Sequence, residues 1–250
     1  MAALRAEHII HGTTIDTRHP LVIHALRGAA RLAPRSVTRT PRPAYTAAIF
    51  AQLRPHFDLS ASLDAAVWTA LLTAFWGLAR LGEVTIQQTS DYSVLRHPSR
   101  RGVRFASPHG IDAIQIDLPV TKTSRTGAQL NLAPQAPPLC PVAAIRHLFL
   151  AFPSPGDAHI FAHGTTFTPL TRAQFLRRVH TAARSAGVLL LPGHSMRIGG
   201  CSELLARGVA PTVVPLAGRW SSDAWRLYVR RHAEILTPAL TTPATHTSAP

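Results

Sequence analysis

Cysteine is scarce: Cys140 and Cys201 are the only two. Two distant thiols build no disulfide framework, and neither has a metal-like partner nearby, so a reduced, intracellular setting is expected. Long apolar runs are absent. None approaches the roughly 20 residues a membrane helix needs, which predicts a soluble chain with no membrane partner. The N-terminal stretch MAALRAEHIIHG has one arginine but no sustained apolar core, so no secretory signal is read there. Acidic residues are few, 12 against 26 basic ones, for a formal charge of +14. Lysine is scarce too. Arginine supplies nearly all the positive charge and is spread along the chain, which describes a folded basic surface rather than a basic tail. Such an imbalance points to a polyanionic partner, nucleic acid before anionic membrane. The competing explanation is genomic, since GC-rich coding inflates Ala, Arg and Pro together.

What remains is enough for one domain with tails. The chain has 250 residues, and 46% of them are apolar, too many for disorder throughout. Histidine is plentiful at 14 residues. His159 and His163 stand four apart, and His8 and His11 three apart. No acidic residue or cysteine completes a ligand set near either pair, so neither a metal nor any other cofactor is expected.

Residues 1–43 are rich in Arg and Pro. They read as a partly helical lead-in, with one apolar stripe over residues 19–32, followed by a linker ending in RSVTRTPRP. Helices are expected at about 44–53 and at 62–79. The second has Leu63, Val67, Ala70, Leu71, Ala74, Phe75 and Leu78 on one face, Ser62 as cap and Asp64 in its first turn. Residues 111–120 alternate and are β-branched. Residues 127–134 can pair with them across a polar TKTSRT loop. The rest reads as helical. Pro141 opens one helix. Thr171 and Gln174 form a capping-box pattern ahead of a second, which Gly187 stops. Residues 194–208 and 221–232 form two more. The tail from Thr237 reads as disordered. These elements predict an α+β, mainly α-helical fold with a small antiparallel β-sheet.

Three stretches stand out: GLARLGEVT at 77–85, GHSMRIGG at 193–200 and LAGRWSSDAWRLYVRRH at 216–232. Together with TKT at 121–123, and in this order, they resemble the motif set of the tyrosine recombinases, the phage-integrase superfamily. The likeness is nearest to recombinase-like domains of eukaryotic mobile elements and spans residues 41–236. A hydrolase elbow around Ser195 is the alternative for the second stretch, but that motif needs glycine at position 197, where arginine stands.

The resemblance implies site-specific DNA recombination or integration, by strand breaking and rejoining through a covalent 3′-phosphotyrosine, with no cofactor. That chemistry needs fixed cations and donors around the two non-bridging phosphate oxygens, a proton donor for the leaving 5′-oxygen, and a nucleophile that stores the bond. Arginine serves the first need best, because its fork donates two parallel bonds and stays charged. By resemblance, Arg80 is the first clamp and Glu83 its supporting acid; a plain surface ion pair at a helix end is the competing reading. Lys122 takes the place of the general acid, although loop lysines are common. His194 and Arg197 form the H-x-x-R element, Arg197 being the second clamp. Trp220 stands where the family has His or Trp, and could equally be a core residue. Tyr228 takes the place of the nucleophile, one residue earlier than in bacterial and phage members; a half-buried helix tyrosine is the alternative.

The resemblance further implies double-stranded DNA as partner, a homotetramer on two duplexes, and an intracellular location, nuclear in a eukaryotic host. It makes residues 1–40 a linker, the remnant of a missing core-binding domain, and residues 237–250 a tail. Two departures stand out: Pro215 falls inside an expected helix, and residues 1–40 are expected to hold only a remnant of the linker after the upstream clamp. The second keeps open a degenerate mobile-element remnant that binds DNA without catalysis. A type IB topoisomerase lacks the GRWSSD stretch, and a basic protein-binding module would show no salt-sensitive DNA binding.

Overall fold

A computed structural model describes residues 2–32, 43–122 and 124–241. The expected linker over 35–43 and the tail beyond 241 therefore lie almost wholly outside the described residues. The chain divides into two compact units, Met1–Arg42 and Pro43–Pro250. The first contains α1 (Ala2–Ile10) and α2 (Pro20–Leu32). The Arg5 guanidinium donates to Thr17 Oγ1 at 2.8 Å. No residue of α2 is buried.

The second unit is built around α4 (Ser62–Trp76), which follows α3 (Ala47–Leu53). A one-sided apolar stripe was expected for α4. Instead every residue from Asp64 to Trp76 is buried, because α6 (Pro141–Ala151), α7 (Arg172–Ser185) and α8 (His194–Ala206) all pack on it. Its start differs from expectation as well. Ala61 is the cap residue, while the Ser62 hydroxyl accepts from the Gly164 N–H at 3.0 Å. Asp64 stands in the first turn as expected and also receives Arg178 Nε in an ion pair at 2.6 Å. The helix stops three residues early, at Gly77. A Cβ there would lie 2.6 Å from Leu130 Cδ2 and 2.8 Å from the Thr73 carbonyl oxygen. Leu78 then adopts a positive φ of 48°, which turns the chain into the single turn α5 (Leu81–Val84).

Three antiparallel strands follow in the order β1 (Val103–Ala106), β2 (Ala113–Leu118), β3 (Ala128–Leu132). Ile114, Ile116 and Leu118 of β2 are buried with Leu130 and Leu132 of β3. Ile116 pairs with Val103 on one side and Leu130 on the other. This is the alternation read in the sequence; β1 was not foreseen. Pro141 opens α6 behind Cys140, whose sulfur accepts from the Ala143 N–H at 3.4 Å. The expected capping box of α7 is present, with Gln174 N–H to Thr171 Oγ1 at 3.2 Å and Thr171 N–H to Gln174 Oε1 at 3.0 Å.

The glycine pair of HSMRIGG lets α8 lie directly on backbone. A Cβ at 199 would fall 1.9 Å from the Tyr45 carbonyl oxygen, and one at 200 would fall 2.0 Å from that of Phe75. Gly200→Ala is expected to cost about 3 kcal/mol or more, since backbone cannot yield as a side chain does. Gly82→Ala, with nothing within 4 Å of its Cβ, should be neutral or stabilising by up to about 1 kcal/mol. Urea midpoints of the two variants check this, and equal destabilisation would contradict the packing described.

The C-terminal end departs most from expectation. Pro215 sits within a short helix, α9 (Val213–Gly218), and its carbonyl accepts the Trp220 N–H at 3.0 Å. The helix expected over 221–232 does not form, and no α-helix residue occurs before His232 in that stretch. A 3-10 turn runs over Asp223–Tyr228, and α10 (His232–Leu240) follows, carrying helix into the stretch read as tail. The break has a tertiary cause. The Ser202 hydroxyl of α8 donates to the Tyr228 carbonyl at 3.1 Å and accepts from the Arg230 N–H at 2.8 Å. Arg231 then takes a positive φ of 58°.

Candidate functional site

Glu83 is the centre of a charged cluster. It is only 6% exposed and faces one cation from its own turn and one from a remote segment. Arg80 Nη1 donates to its Oε1 at 2.8 Å, and Arg219 Nη2 donates to its Oε2 at 2.9 Å. The Arg80 backbone N–H adds a bond to Oε2 at 2.9 Å. Burial pushes the Glu83 carboxyl up, but the Arg219 charge, the Arg80 hydrogen bonds and the Arg80 charge outweigh it and hold the group below the usual carboxylate range. Arg219 reaches back because it stands in the left-handed region at φ 57°. Its Nη1 also donates to the Gly77 carbonyl at 3.2 Å. Arg219 is not among the residues expected from the sequence. The signal was present in the GRW triplet, but only the backbone turn shows where its side chain goes.

Arg197 lies behind this cluster, 1% exposed on α8. Its guanidinium stacks over Trp220, 4.0 Å from the ring centroid. Nη1 donates to the Leu78 carbonyl, and Nη2 to the Gly218 carbonyl at 2.6 Å. Arg219 Nη2 also reaches the Leu78 carbonyl, at 3.3 Å. The positive φ of Leu78 thus presents one carbonyl to two arginines. Burial, aided by the charges of Arg80 and Arg219 and opposed by Glu83 and Tyr228, lowers Arg197 to about 10, which leaves it cationic at neutral pH. Gly218 must lack a side chain, because a Cβ there would meet the Trp220 ring at 1.6 Å.

Trp220, Tyr228 and His194 form a run of rings. The Trp220 and Tyr228 centroids are 5.5 Å apart, and His194 meets Tyr228 edge-on at 5.1 Å. His194 is the first residue of α8. Lys122, the chain's lone lysine, is exposed in the loop between β2 and β3. Its neighbour Thr123 in the TKT motif lies outside the described residues. Lys122 shares an open cavity of about 410 Å³ with Arg80, Glu83, Arg96 and His97.

The predicted residues therefore fall in two adjoining groups. Arg80, Glu83 and Lys122 border the cavity. Arg197, Trp220, His194 and Tyr228 form the ring cluster, which does not line it. Glu83 and Arg219 join the two. Contrary to expectation for a clamp, Arg197 turns two donors inward to backbone carbonyls. Among the described residues, no group of three or more His, Cys, Asp or Glu is placed to hold a metal ion, and no helix is long and apolar enough to cross a membrane.

No protein-family model and no curated protein matches the chain. Solved structures do. The chain is similar to XerA recombinase with a TM-score of 0.53 at 14% identity, covering 96% of this chain and 74% of that one. It is more loosely similar to Flpe in a Holliday junction complex (TM-score 0.47, 12% identity, 70% of this chain) and to a lambda integrase dimer bound to a COC′ core site (TM-score 0.47, 15% identity, 92% of this chain). The chain spans 42% of the Flpe chain and 63% of the integrase chain. The XerA likeness carries the assignment: this chain has the fold of the tyrosine recombinase catalytic domain, with its small three-stranded sheet.

Proposed function

We propose that the chain breaks and rejoins DNA strands, with Tyr228 attacking a phosphodiester to give a 3′-phosphotyrosine and a free 5′-hydroxyl. One observation carries the reading: Arg80 and Arg219, more than a hundred residues apart in the chain, close on the buried Glu83, and beside them Arg197 stacks on Trp220, whose ring leads through Tyr228 to His194. In the attack, the Tyr228 oxygen bonds to phosphorus and its proton passes to a base, for which His194 is adjacent. The P–O5′ bond breaks, and Lys122 protonates the departing oxygen. Arg80 and Arg197 balance the charge on the non-bridging oxygens. Site-specific recombination or integration, descent from a eukaryotic mobile element, assembly as a tetramer on two duplexes and a nuclear site of action in a eukaryotic host belong to this same proposal.

The inward-turned donors of Arg197 favour a second reading, DNA binding without catalysis. An end-labelled duplex carrying a nick beside the cleavage position separates the two, because the short product diffuses away and traps the intermediate. Label that stays with the protein under denaturing conditions supports cleavage; a mobility shift with no covalent label supports binding alone. Both readings share one expectation drawn from the +14 charge. Affinity should fall steeply between low and moderate salt as counterions are released. A salt titration that leaves affinity flat would contradict both.

A further inference from the structure

The cavity beside Glu83 contains more positive charge than the cleavage chemistry above assigns. Of its three cations, Arg80 is paired with Glu83. Lys122 and Arg96 have no ion-pair or side-chain hydrogen-bond partner among the described residues. Arg96 is exposed and comes from the loop ahead of β1, a segment with no part in the recombinase-like motifs. Its neighbour His97 is fixed through Nδ1, which lies 3.2 Å from the Ser93 backbone nitrogen. Burial lowers the His97 ring below its ordinary value, so the free charge in the cavity belongs to Arg96 and Lys122. The one carboxylate on the wall, Glu83, is already engaged by Arg80 and Arg219. Two unneutralised cations facing one open volume of about 410 Å³ leave it positive, and a tetrahedral oxyanion with its attached sugar suits both charge and size. Arginine suits this wall because its planar fork can hold two phosphate oxygens at once.

We propose that Arg96 is a positioning residue that holds a DNA backbone phosphate in the cavity it shares with Arg80 and Lys122, next to the phosphate that is cut. The inference rests on the strand-cleavage reading and adds a residue to it. Arg96 touches neither the scissile bond nor Tyr228; it fixes the strand so that Arg80 and Lys122 meet the reacting group.

The test compares wild type, Arg96→Gln, Arg96→Lys and the control Arg146→Gln. Arg146 lies outside the cavity and pairs with Asp112 at 2.9 Å. Binding to a short duplex of fixed length is followed against salt. Arg96→Gln should reduce the log–log salt slope by about one phosphate contact; Arg96→Lys should keep the slope, and Arg146→Gln should leave it unchanged. On the nicked duplex at saturating DNA, Arg96→Gln should slow covalent attachment by about ten- to a hundredfold, the order expected of a misplaced substrate. Arg96→Lys should recover part of that loss. An unchanged slope overturns the inference, as does a reduced slope with the saturating rate intact. A thermal shift with inorganic phosphate alone that Arg96→Gln removes would mark a free-anion site and also overturn it. If Arg96→Gln behaves as wild type while wild type attaches covalently, only this inference falls. If wild type neither binds nor attaches, the strand-cleavage reading falls first.

Discussion

Tyr228→Phe should abolish covalent attachment to a nicked duplex while leaving the fold and DNA binding nearly intact. The change deletes one oxygen. The ring keeps its contacts with Trp220 and His194, so the stability cost should stay within about 0.5 kcal/mol, as for a surface substitution. The attachment rate should drop at least about a thousandfold, because the proposed carrier of the phosphoryl intermediate is lost. The two remaining tyrosines act as internal controls. Tyr45 is fully buried, and burial pushes its hydroxyl up to about 12 despite its bond to the Leu191 carbonyl. The Tyr92 hydroxyl is committed to the Asp157 carbonyl at 2.5 Å. Tyr45→Phe and Tyr92→Phe should both attach. Denaturing gels of the three variants, alongside binding at low salt, make the comparison. Attachment that persists in Tyr228→Phe would move the nucleophile elsewhere.

The second large effect concerns Glu83. Its removal leaves Arg219, 11% exposed at the side chain, without a counter-charge. Glu83→Ala should cost about 3–5 kcal/mol, the usual penalty for breaking a buried pair from one side. That corresponds to a fall in Tm on the order of 10 °C for a chain of this size. Glu83→Gln retains an acceptor for the Arg80 bonds and should cost less. The double change Glu83→Gln with Arg219→Met should recover part of the loss, because it removes both charges rather than stranding one. The pH dependence has a definite sign. The folded-state pKa of Glu83 lies below its ordinary value, so the stabilisation is fully present above the unfolded pKa. It is lost as pH falls through the folded pKa. Urea midpoints between neutral pH and the acid range should therefore fall for wild type more steeply than for Glu83→Gln. Parallel curves would contradict the role given to the carboxylate.

Much of the framework was legible because its signals are local. Thr171 and Gln174 cap α7 through neighbouring backbone groups, and the alternation of Ile114, Ile116 and Leu118 needs only a sheet with one buried face. The short strand β1 carried too few residues, with Arg104 among them, to show a period. The end of the chain was misread for a different reason. Residues 221–232 have helical composition, yet Ser202 of α8 captures the Tyr228 carbonyl and the Arg230 N–H, and the helix yields to that tertiary bond. The candidate site divides in the same way. Arg80, Glu83, Lys122, His194, Arg197, Trp220 and Tyr228 were proposed from motif order, which encodes identity but not direction. That Arg197 faces the carbonyls of Leu78 and Gly218, and that Arg219 closes on Glu83, depends on two left-handed backbone turns, at Leu78 and at Arg219 itself. Neither residue type favours such a turn, so nothing in the local sequence announces it.

The most direct test of the account is to identify the residue that carries DNA. Wild-type protein trapped on a nicked duplex would be digested with nuclease and protease, and the peptide bearing residual nucleotide mass sequenced by mass spectrometry. The expected product is a nucleotide linked through its 3′-phosphate to Tyr228. A modified peptide containing Tyr45, Tyr92 or any non-tyrosine nucleophile, or a complete absence of adduct on DNA the protein demonstrably binds, would contradict it.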